Sequence, residues 1–135
     1  MRDVLEFLHE NGLRGAPGRL PRTVAYHDPC HAIRAQRIRH QPRELLRQIP
    51  DLALVDVPDE AMCCGAAGQY NVTQPGTSSE LRRLKVEALR STGATTVASA
   101  NPGCTTQLIA GLRERRVAIE VVHPIQLLDR AYARR

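Results

Sequence analysis

The sequence predicts an α/β domain: about four parallel strands with helices on both faces. Two observations carry this. Four short runs rich in β-branched residues, at 23–27, 53–57, 95–99 and 118–122, alternate with longer segments of helical periodicity. Such alternation favours a parallel sheet, because parallel neighbours need a crossover long enough to hold a helix. A third observation concerns how the strands end. Cys30, the pair Cys63-Cys64, and Cys104 each stand a few residues past a different strand.

Residues 2–12 read as a short amphipathic helix, with Val4, Leu5, Phe7 and Leu8 as its apolar face and Asn11-Gly12 as its stop. Residues 15–21 hold two prolines and two glycines and form a connector. The first strand, 23–27, stops at Asp28-Pro29, since proline has no donor for a ladder. From residue 31 to 49 the pattern is helical, broken near Pro42 into an arginine-rich first part and a helix over 43–48. The second strand is 53–57, and Pro58-Asp59-Glu60 leads to the paired cysteines. Residues 65–69 start a short helix or a tight loop. Residues 71–79 are polar, contain Pro75-Gly76 and read as a loop, with Ser78 or Ser79 as N-cap of a helix over 80–91. Leu81, Leu84, Val86 and Leu89 supply its inward side, and Gly93 its C-cap. The third strand is 95–99. Asn101-Pro102-Gly103 turns the chain into a helix over 104–115. The fourth strand, 118–122, leads through His123-Pro124 to a last helix over 125–132 with Leu127 and Leu128 inward.

The chain has 135 residues, 42% hydrophobic and 24% charged, the composition of one soluble globular domain. The expectation is a single domain over 1–135, with 1–22 as an N-terminal helix and linker. No apolar run approaches the ~20 residues of a membrane span. The start lacks the pattern of a signal peptide, so a cytoplasmic setting is expected, possible peripheral attachment to the inner membrane included. Reducing conditions there turn clustered cysteines toward metal or redox chemistry. The net charge of +5 comes mostly from arginines spread along helical segments. The four aromatic residues, Phe7, Tyr26, Tyr70 and Tyr132, are too few for a base-stacking platform, so no nucleic acid is expected. Solvated helix faces explain the charge; docking to acidic subunits or an anionic membrane surface is the alternative.

In an open parallel sheet the loops beyond the carboxyl ends of the strands share one edge, where ligands bind. Topology therefore brings Cys30, Cys63, Cys64 and Cys104 together, although local spacing does not. Four thiolates make a soft site suited to zinc, copper(I) or iron–sulfur, and iron–sulfur is the expectation. Glycines after Cys64 and before Cys104 allow close backbone approach. Helix N-termini after Cys30 and Cys104 would favour thiolates there. The plain alternatives are buried cysteines acting as small hydrophobes, a strained Cys63–Cys64 disulfide, and structural zinc. His27, His31 and His123 sit at the same edge, where each is a ligand or else a capping or core residue. Asp28 and Asn101 either hydrogen-bond sulfur-side groups of a cluster or, as expected, cap the turns that follow them. Tyr70 and Asn71 are expected to serve local packing.

Together these residues carry a resemblance. His27-Asp28-Pro29-Cys30-His31, Cys63-Cys64-Gly65 with Gly68-Gln69-Tyr70-Asn71 and Gln74-Pro75, and Asn101-Pro102-Gly103-Cys104 resemble the cysteine-rich "CCG" domain. That domain occurs in heterodisulfide reductase and related electron-transfer proteins. Within the group the chain is most similar to the C-terminal CCG domain of the glycolate oxidase iron–sulfur subunit, including His123-Pro124 and Leu127-Leu128-Asp129. The resemblance implies a non-catalytic electron-transfer subunit. It would relay electrons from a flavin-containing oxidase subunit, where glycolate becomes glyoxylate, toward a quinone-linked chain.

Two departures limit what carries over. The ferredoxin-like CxxCxxCxxxCP motifs and the first CCG domain of that subunit are absent from this sequence, so the chain reads as a fragment or a standalone remnant. The heterodisulfide reductase branch ends in CxxC, and Asn101 stands here in place of its first cysteine. A five-cysteine non-cubane cluster thus lacks one ligand. Four remain, enough for one 4Fe–4S cluster or, alternatively, zinc. A thiol–disulfide redox domain is the third reading.

Overall fold

The computed structural model describes residues 3–28, 37–58, 64 and 75–135. Its element order is α1 (Val4–Asn11), β1 (Thr23–His27), α2 (His40–Arg47), β2 (Ala53–Val55), α3 (Pro75–Ser91), β3 (Thr96–Ser99), α4 (Pro102–Glu114), β4 (Glu120–Val122) and α5 (Pro124–Ala133). The four strands form one all-parallel sheet in the order β2-β1-β3-β4. Strand order reverses beside β1: the chain first moves outward to β2, then crosses back to β3. In such sheets the crevice beyond the carboxyl ends of the two central strands is where a ligand fits.

Alternation along the strands divides the core in two. Val24, Tyr26, Ala98 and Val122 face one side and pack with Leu5 of α1, Leu45 and Leu46 of α2, and Leu127, Leu128 and Ala131 of α5. Ala25 and Val97 face the other side, with Leu89 of α3 and Cys104 and Leu108 of α4. The sheet is thus covered on both faces, as the strand–helix alternation predicts. His27 follows Ala25 by two residues and Ser99 follows Val97 by two, so both share the α3/α4 face. Two glycines permit close packing. A Cβ on Gly18 would lie 2.7 Å from the Ala131 carbonyl oxygen, and one on Gly111 would lie 2.7 Å from side-chain carbons of Arg82 and Val86.

Several boundaries differ from the sequence expectations. The second strand ends at Val55 because β2 is an edge strand whose pairing with β1 stops at Ala25↔Val55; Val57 is buried without a ladder. The fourth strand starts at Glu120 because Ile119 bonds back to the Val117 carbonyl at 3.1 Å instead of joining the ladder. α2 starts at His40, with Pro42 in its first turn, where no donor is needed. α3 starts at Pro75, so residues 75–79 are helix, not loop.

The inward side of α3 also differs. Ser78, Lys85, Val86 and Leu89 are buried, whereas Leu84 is 39% exposed. Ser78 does not cap the helix: its hydroxyl accepts from Gln107 Nε2 of α4 at 3.1 Å. Similarly, Leu5 is buried in α1 while Val4 and Phe7 are exposed, so its apolar face is narrower than expected. A polar or basic residue at an inward position misleads a reading that counts apolar residues alone.

No helix among the described residues is long and apolar enough to cross a membrane. Much of the positive charge is paired at the surface. Glu120 accepts from Arg22 at 3.0 Å and from Arg130 at 2.7 Å, and Arg82 reaches Glu114 at 2.8 Å.

Candidate metal centre

β1 ends at His27, and β3 ends beside it at Ser99, its register partner. Cys104 stands in the first turn of α4, immediately beyond β3. Cys64 comes from the connection that follows β2. One donor atom each from His27, Cys64 and Cys104 lie within 4.8 Å of one another, and all three residues are buried. This convergence occupies the crevice that the strand order creates. Cys64 and Cys104 are not disulfide-bonded. Cys30, Cys63 and His31, and the expectations for 65–69, Tyr70 and Asn71, lie outside the described residues.

Each element places its donor for a local reason. Asn101 is the N-cap of α4: its Oδ1 accepts from the Cys104 backbone amide at 3.2 Å, and Pro102 fits the first helical position. The cap therefore fixes the backbone of Cys104 itself, and the helix N-terminus favours negative charge on its sulfur. The turn that Asp28 was expected to cap lies outside the described residues, and Asp28 itself pairs with a helix. Buried directly after His27, it takes a two-pronged ion pair from Arg43 of α2; one arm is 2.7 Å from Arg43 Nη1 to Asp28 Oδ1, and Nη2 meets Oδ2. The Arg43 guanidinium also covers the Tyr26 ring at 4.9 Å. Burial, then the Asp28 charge, pushes the Tyr26 phenol well above its ordinary pKa. The end of β1 is thereby anchored on the face opposite the donors.

The imidazole of His27 is held below its ordinary pKa, chiefly by burial. The neighbouring Cys64 side chain works the other way, and the charge of Lys85 reinforces the lowering. Neutral imidazole is the form that binds metals. His123 has a different task. Its Nδ1 accepts from the Ile125 amide at 3.0 Å, and its own amide donates to Gln126 Oε1 at 2.8 Å, a reciprocal cap on α5. Of the described histidines at this edge, His27 joins the cysteines and His123 caps a helix.

Two polar residues at the site are not apparent from the motifs. Lys85 is wholly buried, and its charge reaches His27. Ser99 is buried, and its hydroxyl has no hydrogen-bond partner among the described residues. Both had a signal in the sequence. Lys85 lies seven residues after Ser78 and four before Leu89, on one helical stripe. Ser99 lies two past Val97, on the inward side of its strand.

The donor set fits the group expected from the sequence: soft sulfur, neutral imidazole and an unpartnered buried hydroxyl, excluded from water at a helix N-terminus. When bound, an iron–sulfur cluster supplies one-electron redox chemistry. Cys64 and Cys104 would hold it with His27 beside them, and Asn101 positions Cys104 for that.

A model of the cysteine-rich CCG domain matches residues 24–109, which include every donor described. The chain is 36% identical over 121 residues to the glycolate oxidase iron–sulfur subunit of Escherichia coli, covering 89% of this chain and 30% of that protein. It is 30% identical over 134 residues to one of the fumarate reductase (CoM/CoB) subunits of Methanothermobacter marburgensis, covering 97% of this chain and 27% of that protein. It is 28% identical over 126 residues to lactate utilization protein A of Bacillus pumilus, covering 93% and 52%. The chain therefore spans about a quarter to a half of the length of these relatives.

Proposed function

This chain belongs to the family of cysteine-rich CCG domains, and on that footing we propose that it is an iron–sulfur electron-transfer module. The observation that carries the reading is the meeting of His27, Cys64 and Cys104 at the strand-order reversal. Cys30 and Cys63 supply the remaining thiolates, giving a 4Fe–4S cluster held by Cys30, Cys63, Cys64 and Cys104. The module then acts as the C-terminal part of an iron–sulfur subunit in a glycolate-oxidase-type complex. It takes electrons from a flavin-containing subunit and performs no substrate chemistry itself. Relatives named for glycolate oxidase and for lactate utilization support a 2-hydroxy acid as the substrate of the partner.

The chain's own residues do three things in this reading. The thiolates bind. Burial of all three described donors excludes water from the centre. The lowered pKa of His27 keeps its ring uncharged beside the thiolates. The test is optical: anaerobically purified protein should show a visible charge-transfer band that bleaches on reduction and returns on oxidation. Colourless protein that stays colourless after reconstitution with iron and sulfide would refute the reading.

A second reading rests on the same close set of donors. Ligand sulfurs around a single tetrahedral zinc are about 3.8 Å apart, from Zn–S bonds of about 2.3 Å. The spacing of His27, Cys64 and Cys104 accommodates that as well. A structural zinc would be redox-silent, and its removal by chelator would unfold the domain.

A further inference from the structure

A second group of donors lies away from the sulfur site, between α1 and α2. His9 stands in the last turn of α1. His40 and Glu44 stand four residues apart on α2, one turn above each other on the same face. One donor atom from each of the three lies within 4.8 Å of the others. The His9 and His40 rings meet edge to face, with centroids 5.4 Å apart and planes at 86°. His9 Nε2 bonds Glu44 Oε2.

The backbone beneath this group is fixed by the core. Leu5, one turn before His9, is buried, and so are Leu45 and Leu46 beside Glu44; all three belong to one cluster. The placement of the three donors is therefore a property of helix packing rather than of loop conformation. The upper parts of the side chains stay accessible: His9 is 28% and Glu44 49% exposed.

We propose that His9, His40 and Glu44 form a binding site for a divalent transition-metal ion, with zinc as the ion it would take. Two imidazoles and a carboxylate are a donor set that zinc accepts, with bonds of about 2.0–2.2 Å, and three protein ligands leave the fourth position for water. Such bonds place donors roughly 3.3–3.5 Å apart around a tetrahedral ion. Rotation of three partly exposed side chains supplies the remaining approach. The ion takes the place of the His9 Nε2–Glu44 Oε2 hydrogen bond, and both groups become its ligands. The site is independent of the cluster reading, because the helices that carry it pack in a different core cluster from Cys64 and Cys104.

The test is a zinc titration of the full chain by calorimetry, comparing the unaltered protein with His9→Ala and His40→Ala. The unaltered protein should bind one zinc ion more per chain than either variant, or bind that ion at least tenfold more tightly. Cys64→Ser should leave this ion in place. A second readout covers a variant that fails to fold: on adding zinc to the unaltered protein, the ring nitrogen resonances of His9 and His40 should shift together. Equal stoichiometry and affinity in all three proteins, or rings that do not respond to zinc, would overturn the proposal and leave His9–Glu44 as a surface ion pair.

Discussion

His27 and Ser99 are register partners on the two central strands, so β1 and β3 end level and present their last inward side chains side by side. Both side chains are buried, and both lie on the α3/α4 face. The cysteines need only reach this one shelf. Cys104 does so directly from the helix that follows β3.

The first prediction concerns the anchor beneath that shelf. Arg43→Ala removes the partner of a fully buried carboxylate and leaves Asp28 charged in the core. Breaking a buried pair this way costs about 3–5 kcal/mol. Urea unfolding should show the loss. Asp28→Asn together with Arg43→Leu should recover part of it, since no unpaired charge remains.

The Asn101 cap should be separable from the thiol it serves. Asn101→Ala removes the acceptor for the Cys104 amide and should lower stability by about 1 kcal/mol. Asn101→Asp keeps the acceptor and should restore it. Thermal melts of the three proteins decide this, and identical melts would deny the cap.

His27→Ala should weaken metal retention while the fold survives. Removing an imidazole from the centre is expected to weaken metal retention by at least ~10-fold. Metal content after dialysis against a competing chelator measures it, and circular dichroism checks the fold. Full retention would exclude His27 from the centre.

Acid should weaken the α5 cap. His123 is held below its ordinary pKa, mainly by burial and against the charge of Asp3. Its Nδ1 accepts the Ile125 amide only when unprotonated. Unfolded, the ring titrates near its ordinary value of about 6.5. The unfolded state therefore binds more protons in the window just below that value, and stability falls as pH drops through it. Urea midpoints at about pH 7.5 and about pH 5.5, on either side of that value, should differ less in His123→Asn than in the unaltered protein.

The sheet was legible because β-branched runs such as Thr23–His27 are local signals, and the shared edge follows from parallel topology. Cys104 and its Asn101 cap were legible from the Asn-Pro-Gly turn. The role of Asp28 was not, because Arg43 lies on another element and the pairing exists only after α2 packs on β1. Lys85 was hidden for the same reason: a lysine is discounted from an inward stripe unless something charged awaits it. His27 and His123 looked alike in sequence, each at a strand end. What separates them is strand parity for His27 and the Pro124 turn for His123.

The most direct test of the central claim is iron, acid-labile sulfide and zinc per chain in anaerobically purified protein, with His40→Ala and Cys104→Ser alongside. The account predicts iron and sulfide in comparable amounts, unchanged in His40→Ala and lost in Cys104→Ser. Zinc that persists in His40→Ala, disappears in Cys104→Ser and comes without sulfide would contradict the electron-transfer reading and assign the sulfur site to a structural ion.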